Sequence, residues 1–168
     1  YRNANWESEV AIWQDAVKKN PDNGEAFYAL GDAFRFAKPP SRERAELAFI
    51  ESVKRSPNNL DAWNNLGLVR AEMGKQKAAE ETFEKTLTIK DGRCGDGGPK
   101  PCLCKARNNL GKLNGQQGKL KVAKKHLLSA YSLCPNNVLT NYFLGELYRQ
   151  EAFFNKGRAL FHYSEVLR

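Results

Sequence analysis

The chain has 168 residues, 41% of them hydrophobic and 27% charged, with a formal net charge of +8. That composition excludes an intrinsically disordered segment, and the length suffices for one domain with a core or for a short repeat array. No apolar run approaches the roughly 18 residues of a membrane span, and no signal-peptide pattern precedes YRNANWESEV, an opening without Met that reads as a piece of a larger protein.

Apolar spacing predicts a first amphipathic helix over 3–19, stopped by the proline loop NPDN at 20–23. A second helix, 23–36, carries ALGDAF, and the turn FAKPPSRER leads to a third over 41–55, closed by SPNN at 56–59. Helix four, 59–73, carries NLGLVR, and helix five covers 76–89. There the pattern breaks into KDGRCGDGGPKPCLC, which holds three of the four cysteines among glycines and prolines. Helix six, 103–117, carries NLGKLN, and helix seven, 120–133, ends at CPNN. Helix eight, 137–151, carries FLGELY, and helix nine covers 154–167. No strand pattern competes.

One phrase thus recurs four times, its glycines Gly31, Gly67, Gly111 and Gly145 separated by 36, 44 and 34 residues. A small residue and then a large apolar one follow each phrase: Ala45 with Phe49, Ala79 with Phe83, Ala123 with Leu127, Gly157 with Phe161. Glycine presents no side chain, so a second helix approaches closely and its large residue fills the gap. Proline ends a helix, and the Asn or Asp that follows caps the next.

On these residues the chain resembles the tetratricopeptide-repeat family. Trp63, Leu66, Gly67, Ala79 and Phe83 carry the pattern in one unit, Leu144, Gly145, Tyr148 and Phe161 in another, and Trp13, Ala16 and Pro21 fit the second helix of a leading half unit. Arg107 and Asn141 depart from it where an aromatic is usual, as does Asn114 in place of Tyr. The resemblance implies an all-α, right-handed superhelical solenoid of antiparallel helix pairs with about nine helices. The expected organisation is a single array: a half repeat over 1–22, repeats over 23–57, 58–91, 102–135 and 136–168, and an insertion over 92–101 that protrudes as a loop.

In such a fold the first helix of each unit lines a concave groove that holds a peptide or partner protein. Counting along the repeat places Tyr28, Asp32 and Arg35 there from unit one, and Asp61, Asn64, Asn65 and Leu68 from unit two. Unit three contributes Lys105, Asn108, Asn109 and Lys112, and unit four Leu139, Tyr142, Glu146 and Arg149. The expected groove is acidic in the first two units and basic in the third. Asn65 and Asn109 resemble the peptide-gripping asparagines of some members, because an amide pairs with a peptide backbone of any sequence. The family's carboxylate clamp is matched by Asn65 and Lys105 alone; Tyr28, Asp32 and Asn109 break it.

The cysteines leave alternatives. Four thiolates can hold zinc, but C-x7-C-x-C is not a usual zinc spacing, and no C-x-x-C or C-x-x-C-H occurs. The hairpin implied by the resemblance brings the ends of repeat three together, giving an expected Cys104–Cys134 disulfide, and Cys94 and Cys102 bracket the GDGGPKP turn, giving an expected Cys94–Cys102; reduced thiols are the other reading. No metal or cofactor is expected. Disulfides would favour an extracytoplasmic, periplasmic setting, reduced thiols a cytoplasmic one. The entry segment WESEVAIWQDAVKKNPDN also resembles the start of extracytoplasmic repeat tails in bacterial multi-spanning membrane proteins of the O-mannosyltransferase type.

Between Gly97 and Gly145 there is no acidic residue. Lys119, Lys121, Lys124 and Lys125 therefore form either a solvated helical face or a landing surface for anionic lipid or polymer. No aromatics interleave with them, which argues against nucleic acid. His126 and His162 have no nucleophile motif nearby, and no phosphate loop or HExxH is present, so catalysis is not expected of this segment. Leu160, Phe161 and Val166 have no following helix to cover them, which suggests further repeats or pairing with a second copy. The function these features imply is a protein-interaction module or scaffold. The alternatives are a regulatory or substrate-recruiting tail of a membrane-bound glycosyltransferase, and a basic docking surface.

Overall fold

The computed structural model describes residues 2–95, 98–150 and 156–167, residues 2–8 and 156 by backbone alone. The described residues form nine helices and no strand. They are α1 (Arg2–Lys19), α2 (Gly24–Phe36), α3 (Arg42–Arg55), α4 (Leu60–Glu72), α5 (Gln76–Thr88), α6 (Lys100–Gln116), α7 (Leu120–Leu133), α8 (Val138–Arg149) and α9 (Lys156–Val166). None of these is long and apolar enough to cross a membrane. After α1 they pair as antiparallel hairpins, α2 with α3 through α8 with α9, stacked in chain order into an all-α superhelical solenoid.

The proline loops act as their chemistry dictates. Asn23, Asn59 and Asn137 are the N-caps of α2, α4 and α8, their side-chain oxygens accepting from the free backbone N–H groups of the first turn. Gly74 and Gly118 take positive φ at the tight turns after α4 and α6, where a side chain would be strained. A Cβ on Gly31, Gly67 or Gly111 would lie within 2.6 Å of Phe49, Phe83 or Leu127, all fully buried, so these pairs set the depth of each hairpin.

Repeat four corrects the expected pairing. Gly145 packs against Tyr163, and Ala159, not Gly157, is the small buried residue of α9. Tyr163 follows its glycine by eighteen residues, as Phe49 follows Gly31, whereas Phe83 and Leu127 follow theirs by sixteen. The fourth hairpin therefore places two more residues between its contact pair than the second and third do, and Phe161 faces outward, 49% exposed. The turn itself, 151–155, lies outside the described residues, as do the expected helix ends that fall on it.

The insertion is also corrected. Its glycine-rich centre, residues 96–97, lies outside the described residues, but its first half does not protrude. Leu60 N–H donates to the Arg93 carbonyl and Arg93 N–H to the Asn58 carbonyl, each at 2.8 Å, laying the chain against the start of α4. Gly92 touches Leu60 so closely that a Cβ would overlap it. Leu60, Cys94 and Cys102 form a small buried cluster with Ile89 and Leu103 against it. Helix α6 begins at Lys100, three residues before the expected start, because Pro101 sits in its first turn, where no N–H is needed.

Candidate partner-binding groove

The first helices of the four pairs, α2, α4, α6 and α8, share one face of the stack, and most of the expected groove residues lie on it. Asn65 Nδ2 donates to Asp32 Oδ1 at 2.9 Å and reaches the Tyr28 hydroxyl at 3.4 Å, tying α4 to α2. Burial raises the Asp32 carboxyl above its ordinary range and the Tyr28 phenol likewise. Arg35 pairs with Glu72 at 2.7 Å, Lys105 with Asp61 at 3.1 Å, and Arg149 with Glu146 at 2.8 Å. Glu146 also accepts from the Tyr163 hydroxyl at 2.7 Å, and both bonds hold its carboxyl below the usual value. Leu139 and Tyr142 are 57% and 46% exposed, apolar surface offered to solvent.

Two expected groove residues are not there. Asn64 is buried and its Nδ2 donates to the Cys102 carbonyl at 3.0 Å, at the start of α6. Asn108 is buried too: it donates to Asn137 Oδ1 at 3.2 Å and accepts from the Thr140 hydroxyl at 2.9 Å. Both asparagines point into the joint between successive repeats, Asn64 holding the first turn of α6 and Asn108 the N-cap of α8. Their neighbours Asn65 and Asn109 face the groove. Asn65 is engaged by Asp32, and Asn109 lines a recess with Leu68, Phe83 and Leu113.

Three recesses open along this face. The first, about 370 Å³, lies between Glu25, Tyr28, Asn59 and Asp61, and Arg93 and Gly95 of the insertion form a wall of it that sequence reasoning missed. Nothing in the glycine–proline stretch signals that its backbone pairs with Asn58 and Leu60. The second, about 200 Å³, sits between α4 and α6, and the third, about 450 Å³, between α6 and α8.

Of the expected disulfides the structure contains Cys94–Cys102, which joins the insertion to α6. Cys104 and Cys134 are unbonded, correcting the second pairing. Cys104 is buried, its thiol donating to the Ala130 carbonyl at 3.7 Å, and that burial pushes the thiol up to about 12. Asp61, Cys94 and Cys102 bring ligand atoms within 4.8 Å of one another, but bonded sulfurs present no thiolate to a metal. Of the basic residues on α7, Lys119 lies 3.7 Å from Glu80 and Lys124 sits over the Tyr148 ring, while Lys121 and Lys125 are exposed. His126 lies 3.6 Å from Glu84, and His162 is buried against Asn141. Leu160 is 58% exposed and Val166 half-buried.

Residues 60–92 and 105–137 match the tetratricopeptide-repeat family model. The chain is 30% identical over 83 residues to the Protein O-mannosyl-transferase TMTC3 of Homo sapiens and 26% over 83 residues to that of Mus musculus. Each match covers 49% of this chain and 9% of the relative, so the chain spans a small part of their length. Similar solved structures include MamA (TM-score 0.76, 15% identity, 98% of this chain and 88% of that one) and Pseudomonas aeruginosa PilF (0.81, 18%, 99% and 69%). YrrB, described as a tetratricopeptide-repeat protein with an unusual peptide-binding site, aligns at 0.67 with 17% identity, over 98% and 77%. At these identities the structures speak to the fold alone.

Proposed function

We propose that this tetratricopeptide-repeat chain is a protein-interaction module that holds a peptide segment of a partner along the face built by α2, α4, α6 and α8. The observation that carries the reading is the division of labour between adjacent asparagines. Asn64 and Asn108 are consumed inside the joints, whereas their neighbour Asn109 borders an open recess with half-buried Leu68, and Tyr142 stands 46% exposed beside the next. A rigid frame presenting unspent side chains in recesses is suited to recognition. A photo-crosslinking side chain at Gln116, inside the groove, should capture a partner in cells, whereas the same group at exposed Lys85 on α5 should not. Equal capture from both positions would count against the groove.

The similarity to O-mannosyl-transferases favours a second reading, in which the chain is the regulatory or substrate-recruiting part of a membrane-bound glycosyltransferase. The Cys94–Cys102 bond supports an oxidising, extracytoplasmic setting for it. The full-length parent sequence tests this directly: membrane spans joined to this array are expected, and their absence sinks the reading.

A further inference from the structure

We infer that the middle of the groove selects a segment in which one carboxylate lies between two apolar side chains, with Lys112 as the residue that reads the acid. This rests on the groove reading above and specifies the chemistry of its ligand.

Two apolar recesses flank one helix. On the α4 side, Phe83 floors a hollow walled by Leu68 and Leu113; on the α8 side, Leu127 floors a larger one walled by Tyr142 and Leu147. Lys112 and Gln116 of α6 border both. The larger hollow owes part of its depth to Gly115, where an added Cβ would find only Ala123, at 3.9 Å. Neighbouring helices pack about 8–10 Å apart, so the hollows stand about 10 Å from each other across α6.

Charge then separates the centre from the ends. Among the described residues, the groove cations Arg35, Lys105 and Arg149 each have a carboxylate partner, and Lys112, exposed on the ridge between the hollows, has none. The acids bordering the hollows already have counter-charges: Glu72 pairs with Arg35 and Arg42, and Glu146 with Arg149 while accepting from the Tyr163 hydroxyl. An incoming carboxylate therefore meets an unpaired ammonium at the centre and occupied carboxylates toward either end. Apolar side chains meet Phe83 and Leu127 on both sides. A ligand with the charge at its end, or with lysine at its centre, meets the opposite pattern and is refused.

The test uses a phage-displayed library of random peptides, each about twelve residues long, panned on the whole chain with its disulfide intact. Recovered peptides should carry Asp or Glu between two large apolar residues. Lys112→Glu, an exposed change that leaves the core untouched, should weaken them by about tenfold or more, and replacing the peptide's acid by lysine should restore binding to that variant. Binding should weaken with added salt as a screened ion pair does. Peptides that lose binding to Gly115→Phe, a variant checked for native melting, yet carry no central acid would overturn this inference and leave the groove reading standing. Peptides indifferent to both Gly115→Phe and Lys112→Glu would overturn both.

Discussion

His162 Nδ1 lies 2.9 Å from Asn141 Oδ1, with both residues buried. The Asn141 amide donates in turn to the Pro135 carbonyl at 2.8 Å, as the Trp63 indole donates to Pro57 two repeats earlier. Asn141 thus keeps the bond of the aromatic it replaces and leaves room for an imidazole, which stacks on Tyr148 at 5.7 Å and meets Tyr131 edge-on. Burial holds His162 below its ordinary value, with Glu165 raising it and Arg158 lowering it further.

Because the folded His162 resists protonation, the unfolded chain binds more protons between the depressed folded value and about 6.5. Stability should therefore fall as pH drops through that window and level off below it. Burial also lowers His126, which adds in the same direction. Melting temperatures between pH 5 and 8 should show this slope, and His162→Gln should flatten it; an unchanged slope in that variant would contradict the assignment.

The joint asparagines and the groove asparagine should separate cleanly in stability. Asn108→Ala removes two buried hydrogen bonds across one joint and Asn64→Ala one across another, so each should cost about 1–3 kcal/mol in denaturant unfolding. Asn109→Ala should cost under about 0.5 kcal/mol. Comparable losses at positions 108 and 109 would refute the distinction.

The register of repeat four makes a sharp contrast between neighbours. Tyr163 fills the space against Gly145 and donates to Glu146, so Tyr163→Ala should cost about 2–4 kcal/mol. Phe161→Ala, at a position half in solvent, should cost under about 1 kcal/mol. Thermal melts of the two variants decide between this pairing and the one expected from Phe161.

Thiol counting addresses the cysteines. Denatured without reductant, the chain should yield two alkylatable thiols, Cys104 and Cys134, and four after reduction. The Cys94–Cys102 loop is short, so its loss through paired serine substitutions should cost about 2–3 kcal/mol. Zero free thiols would restore the second bridge, and four would remove the first.

The period, helix pairing and glycine contacts were legible because they are local or repeat at fixed spacing, as Gly67 with Phe83 shows. The failures came where side-chain direction turns on a single residue step. Asn64 and Asn65 look alike in sequence, yet a rotation of one position along α4 sends one into the joint and the other toward Asp32. Phe161 is the attractive choice because it is aromatic; the sequence between Gly145 and Tyr163 holds no proline like those of FAKPPSRER to mark the shifted register. The backbone pairing of Arg93 with Asn58 and Leu60 depends on no side-chain pattern at all.

A helical solenoid is a spring, and its compliance is set joint by joint. Between the second and third repeats the ordinary helix contacts are supplemented by a bridge from Arg93 to Leu60, a sulfur–sulfur bond to Cys102, the Asn64 bond to the Cys102 carbonyl, and the Lys105–Asp61 pair. That joint is stitched on both sides of the insertion by a covalent bond as well, whereas the joint between the third and fourth repeats, at the short CPNN loop, is held by the Asn108 bonds to Asn137 and Thr140 with no disulfide among the described residues. Under any bending load, strain should pass through the stitched segment as through a rigid strut and be taken up on either side of it. The inserted residues, which first read as an interruption of the repeat, thereby fix the segment against which the rest of the spring flexes.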